Sequence, residues 1–131
     1  LRKGRRVNPQ LMARQKYAAT SLTVQTGRRS EYDVIAHVTQ RLRKTAQNAK
    51  TDFAAYAAAL NDNRRLWNAL AVDVADAENQ LPDELRARVF YLAEFTNQYT
   101  SKILGQKASV MPLLEINVAI MRGLKSEASF Q

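Results

Sequence analysis

A chain of 131 residues can form one domain with its own core, and abundant Ala, Leu, Arg, Gln and Glu with only four Gly and three Pro favours helices. The absence of Cys excludes disulfides and thiolate chemistry and, with a single His, a His/Cys metal site; no apolar run approaches the roughly 20 residues of a membrane span. The net charge of +8 is unevenly placed, with +10 in residues 1–50, −4 in residues 51–94 and +2 in the remainder, which weakens a nucleic-acid reading.

Leu1-Arg2-Lys3-Gly4-Arg5-Arg6 is basic, and no apolar core follows it as in a signal peptide. The chain starts at Leu1, so residues 1–6 read as a non-native or disordered basic extension, with Val7 or Met12 as the natural start and residues 7–131 as one helical domain. Without residues 1–6 the net charge is +4, ordinary for a soluble domain. A cysteine-free helical chain of this kind fits the cytoplasm.

Six helical segments follow in order. Pro9 suits a first helical turn and opens a segment to about Leu22. Thr20 to Ser30 is polar, contains Gly27 and reads as a loop. Ser30 begins a capping-box-like Ser-Glu-Tyr-Asp, after which Tyr32, Ile35, Val38 and Leu42 recur at helical spacing. Thr51 and Asp52 open a third helix with Phe53, Tyr56, Ala57 and Leu60 on its inner stripe. Asn61-Asp62-Asn63 either breaks it or lies on its surface. A fourth stretch, Arg64 to Ala75, places Leu66, Trp67, Leu70, Ala71 and Val74 on one broad face.

Pro82 opens the clearest helix. Asp83 and Glu84 in its first turn and Lys102 in its last match the helix dipole, and Gly105 is expected just past its C-cap. Leu85, Val89, Leu92, Thr96, Tyr99 and Ile103 mark its buried stripe. Ser109 caps a last helix that is expected to end near Gly123. Its residues Leu113, Ile116, Ile120 and Leu124 follow one side, while Leu114, Val118 and Met121 follow another, leaving little polar face. The expected architecture is therefore an all-α, single-domain bundle of about five to six helices.

Catalytic material is scarce. His37 lies off its helix's apolar stripe, and no Gly-rich elbow or phosphate loop accompanies the Ser and Thr residues. Asp73 and Asp76 read as solvated, and Asp83 and Glu84 are explained by the dipole. Glu115, within an apolar helix, reads as a buried carboxylate paired structurally or contacting a ligand. A chain that binds other macromolecules, not an enzyme, is expected, with no cofactor or metal. Trp67 with Leu66 and Leu70 reads as core. The basic clusters Arg28-Arg29, Arg41-Leu42-Arg43-Lys44 and Arg64-Arg65 carry no nucleic-acid signature; Arg41, Arg43 and Lys44 are the best RNA contacts if RNA is a ligand.

Three strings carry a family resemblance: Asn63-Arg64-Arg65-Leu66-Trp67, then Leu81-Pro82-Asp83-Glu84-Leu85-Arg86-Ala87-Arg88 joined to Phe90-Tyr91-Leu92-Ala93-Glu94-Phe95, then Leu114-Glu115-Ile116-Asn117-Val118-Ala119-Ile120-Met121-Arg122-Gly123-Leu124. In this order and spacing, from about Tyr17 to Leu124, the chain resembles the alphaproteobacterial flagellar protein FlaF. The resemblance implies a cytoplasmic accessory protein supporting flagellin synthesis and export: a secretion chaperone that binds flagellin directly and a post-transcriptional regulator of its output. FlbT, which acts with that family on flagellin expression, is a further partner it implies. Alternatives are an RNA-binding regulator of flagellin mRNA and a scaffold acting through FlbT. The motif positions Asn63, Leu66, Trp67, Leu81, Pro82, Leu85, Arg86, Asn117, Ile120, Gly123 and Leu124 read as structural. A partner helix is expected on the over-apolar last helix, at Leu114, Val118, Met121 and Met111, with the side containing Met121 favoured as an exposed groove.

Overall fold

The computed structural model describes the backbone of residues 21–129 and the side chains of residues 31–124. Four helices fill this span: α1 Ser21–Gln47, α2 Phe53–Ala75, α3 Asp83–Leu104 and α4 Met111–Ser129. The expected residue 1–6 extension and all but the end of the Pro9 segment lie outside the described residues.

The helices run up, down, up and down. Leu42 late in α1, Tyr56 and Leu60 early in α2, Ile103 late in α3, and Val110, Leu113 and Leu114 around the start of α4 form one buried cluster. Ile35, Trp67 and Val74, Val89 and Ala93, and Ile120 and Leu124 form the other, at the opposite end. Each helix thus crosses from one cluster to the next in alternating direction, as short connections require. α2 packs against α1 and α3, and α1 against α4, whereas α3 and α4 touch only lightly.

The described residues form four helices where the sequence predicts five to six over the whole chain, and two expected boundaries are overridden. The polar Thr20–Ser30 stretch is helical within α1 from Ser21, and Ser30 lies inside that helix, not at its start. Once the Tyr32–Leu42 stripe has fixed a helix by packing, extending it adds a hydrogen bond for each residue ordered, so a polar sequence with one Gly can follow. Asn61-Asp62-Asn63 likewise lies within α2. Asp62 is held by Arg65 at 2.6 Å and by Arg41 of α1, and Asn63 is fully buried and hydrogen-bonded, contrary to its expected place in a break or on the surface. Tertiary contacts here outweigh the weak local preference of Asn and Asp for turns.

The caps follow the sequence more closely. Asp52 accepts from the Ala55 amide at 3.1 Å, and the Ser109 hydroxyl accepts from the Met111 amide at 3.0 Å. Pro82 is the N-cap of α3, with Asp83 and Glu84 in its first turn and Lys102 in its last. The end of α3 differs from expectation. Gly105 is the C-cap itself at φ −80°, and the left-handed residue is Gln106 at φ 62°. The Gln106 amide donates to Ile103 O at 2.8 Å and the Lys107 amide to Lys102 O at 3.0 Å, the bond pair of a Schellman turn. α4 also runs past Gly123 to Ser129. A Cβ on Gly123 would meet Leu85 Cδ1 at 3.7 Å, an ordinary contact, so neither a stop nor a close approach demands glycine there.

Candidate functional site

The residues that carry the motifs meet in the middle of the bundle. Between the two apolar clusters lies a layer of buried polar side chains: Thr39 on α1, Asn63 on α2, Thr96 and Thr100 on α3, and Asn117 on α4. Asn117 is its hub. Its Oδ1 accepts from Trp67 Nε1 at 2.8 Å, and its Nδ2 donates to Asn63 Oδ1 at 2.8 Å and to Thr39 Oγ1 at 3.0 Å. Thr39 and Thr100 donate back to Ile35 O and Thr96 O, each at 2.6 Å. Trp67 and Asn117 are both fully inaccessible. A network this buried ties three helices together in one register, since a shift along any axis leaves donors and acceptors unpaired in a medium where each is costly.

The remaining motif residues also build structure. Leu66, Leu81 and Leu85 are half-buried against the second cluster, in which Ile120 and Leu124 are fully packed. Arg86 reaches back from α3 to the end of α2: its Nε donates to Val74 O at 3.0 Å and its Nη2 to Asp76 O at 2.9 Å. These carbonyls belong to a helix C-terminus, where a cation also complements the dipole. Arg64 crosses the other way, donating to Asn97 O and Ser101 Oγ, both at 2.9 Å. The Thr residues of the polar layer and the Arg86 cap carry no local sequence signal beyond a polar residue at a stripe position or after a helix start.

A groove of about 580 Å³ opens on the other side of the bundle, between α1 and α4. Arg43, Ala46 and Gln47 line it from α1, and Val110, Met111, Leu114, Glu115, Val118 and Arg122 from α4 and the residue before it. Val110 and Leu114 belong to the first cluster and show only an edge, Val118 is half-buried, and Met111 is 53 % exposed. The expected binding residues Leu114, Val118 and Met111 therefore share this groove. Met121 does not: it packs half-buried against the second cluster. Glu115, expected to be buried, is exposed on the groove's edge. Its Cβ direction places it about 100° around α4 from Leu114, outside the core-facing arc. Ala46, Gln47, Val110 and Arg122 were not legible as lining residues, because that depends on which edge of α4 meets α1.

The basic residues named as RNA contacts do not form one patch. Arg41 is ion-paired with Asp62 on the α2 side of α1, whereas Arg43, two residues on, lines the α4 side; Lys44 is exposed. His37 is also exposed, and among the described residues no group of three His, Cys, Asp or Glu side chains comes together. Away from the groove, burial and then the neighbouring Tyr99 push the Tyr56 phenol above its ordinary 10.0.

The family model for flagellar protein FlaF matches residues 13–124, which covers the polar layer, the Arg86 cap and the groove. The chain belongs to the FlaF family. Comparison with curated proteins and with solved structures returned no match. In this FlaF chain the motif strings are thus the strings that hold the bundle in register, and the groove lies beside them on the reverse edge of α4. No helix of the described residues is long and apolar enough to cross a membrane.

Proposed function

We propose that this FlaF-family chain is a cytoplasmic flagellar accessory protein that works by binding and not by catalysis: it holds an amphipathic helix of flagellin in the α1/α4 groove until export. Flagellin's terminal segments are amphipathic and bury their apolar faces only in the filament, so before export they need a cover. A groove with an apolar floor is the form of cover that suits a helix. The observation that carries the reading is the apolar floor formed by the edge of Leu114 and the partly exposed Val118, with the exposed Met111 beside it, bordered by α1, in a chain of a flagellar family. Regulation of flagellin output follows from the same binding, because a protein that is occupied by unexported flagellin is a measure of how much has accumulated; FlbT is the natural partner for relaying that state to flagellin expression. The RNA reading is weaker, because Arg41 and Arg43 face opposite sides of α1 and Arg41 is already paired.

The test is titration of the purified chain with the flagellin of the same organism, by calorimetry, for the unaltered chain and for Val118→Ser and Met111→Ser. Flagellin binds the unaltered chain, and each substitution weakens binding about tenfold with little change in the unfolding temperature. Absence of binding, or full binding by both variants, removes the groove from the function. Co-purification in which RNA is retained and flagellin is not would favour the nucleic-acid reading instead.

A further inference from the structure

The groove carries charge as well as an apolar floor, and the charges are unevenly arranged. Val110, Leu114, Val118 and Arg122 recur every four residues along one line of α4, so the lined stretch spans about 18 Å, the length of a three-turn helix. Arg43 stands on the α1 wall; Glu115 and, seven residues on, Arg122 stand on the α4 wall. The antiparallel packing of α1 on α4, fixed by the Thr39–Asn117 bond, sets Arg43 near the level of Leu114 and leaves Arg122 alone toward the far end. Neither arginine has an ion-pair partner among the described residues, and Glu115 has none either. Arg41, Arg65 and Arg86, by contrast, each have an acidic partner.

Resting on the reading that the groove receives a flagellin helix, we propose that Arg43, Glu115 and Arg122 select which helix enters. The occupant is a three-turn amphipathic segment whose apolar stripe seats on Val110, Leu114 and Val118. Its stripe is flanked by a carboxylate facing Arg43 and a second facing Arg122, with a basic or neutral residue opposite Glu115. A segment lacking those carboxylates would cover two arginines without partners, which disfavours it, whereas matched carboxylates form charge-assisted hydrogen bonds as water leaves. A second copy of this chain is the competing occupant.

The experiment measures flagellin binding to the full chain at low and high salt for Val118→Ser, Arg43→Glu, Arg122→Glu, Glu115→Lys and, as a control outside the groove, Lys44→Glu, with thermal unfolding followed on each. Arg43→Glu and Arg122→Glu should weaken binding about five- to tenfold at low salt and less at high salt, while Lys44→Glu changes it less than twofold. A flagellin variant in which the matching carboxylate is replaced by Lys should recover binding to Arg122→Glu, an outcome that loss of folding could not produce. If Val118→Ser weakens binding but both charge reversals stay within twofold of the unaltered chain, charge selection is wrong and the apolar groove stands. If flagellin binding is insensitive to Val118→Ser as well, the groove reading fails with it. Concentration-dependent dimerisation lost in Val118→Ser would assign the groove to a second copy and overturn the proposal.

Discussion

α4 presents two opposite kinds of surface within one turn of helix. At Asn117 a polar side chain is fully buried and makes three hydrogen bonds to side chains of two other helices: Trp67 and Asn63 on α2 and Thr39 on α1. At Val118 an apolar side chain is left partly uncovered beside an exposed Glu115. A simple rule of apolar inside and polar outside inverts at both positions. The inversion separates two tasks. A polar layer in a core contributes register, because its partners exist in only one alignment, whereas an apolar row on a surface contributes adhesion to whatever covers it. The same helix therefore locks the bundle along one edge and leaves the next edge available.

The sharpest way to break that contrast is to empty the locked side. Trp67→Ala removes the largest fully buried side chain and leaves Asn117 Oδ1 without its donor; it should cost about 3–5 kcal/mol in urea unfolding. A loss below about 1 kcal/mol would mean the layer does not hold the core. Asn117→Ala should follow at about 3 kcal/mol, since three partners lose their bond at once, and its unfolding should broaden if register is loosened. An unchanged, sharp transition would show that the apolar clusters alone fix the alignment. Arg86→Met keeps much of the side-chain stem but removes both bonds to the α2 terminus, and should cost about 1–2 kcal/mol by the same measurement. On the open side, Val118→Ser should cost no more than about 1 kcal/mol of stability, because that side chain is already partly in water. A cost comparable to that of Asn117→Ala would erase the distinction between the two edges. The smallest change has the opposite sign: Gln106→Gly relieves a non-glycine residue at φ 62° and should stabilise the chain by about 0.5–1 kcal/mol, read as a higher thermal midpoint.

Much of this layout is legible in the residues themselves. The Tyr32–Leu42 periodicity marks α1, Asp52 and Ser109 mark helix starts, and the charges at Asp83, Glu84 and Lys102 mark both ends of α3, because caps and dipoles act within one turn and need no distant partner. Trp67, Ile120 and Leu124 are legible as core from spacing alone. The boundaries that sequence misplaces are those at which a distant contact outweighs a local preference. Asn63 reads as a surface or helix-breaking residue until Asn117, 54 residues away, bonds it. Gly105 reads as the residue just past the C-cap until the Schellman bonds place Gln106 there.

The groove divides along the same line. Sequence determines that α4 has more apolar surface than one neighbour can cover, since Leu113, Leu114, Ile116, Val118, Ile120 and Met121 occupy most of its circumference. It also determines the family, through strings whose order is written in the chain. Only the tertiary structure decides which apolar residues stay uncovered: Met121 is turned into contact with the second cluster, while Met111, Val118 and the arginines Arg43 and Arg122 border the opening. The reason is geometric. Helical periodicity gives the angle of each side chain about its own axis, but what covers that angle depends on where the neighbouring helix lies, and this position is set by the Thr39–Asn117–Asn63 bonds between residues far apart in the chain.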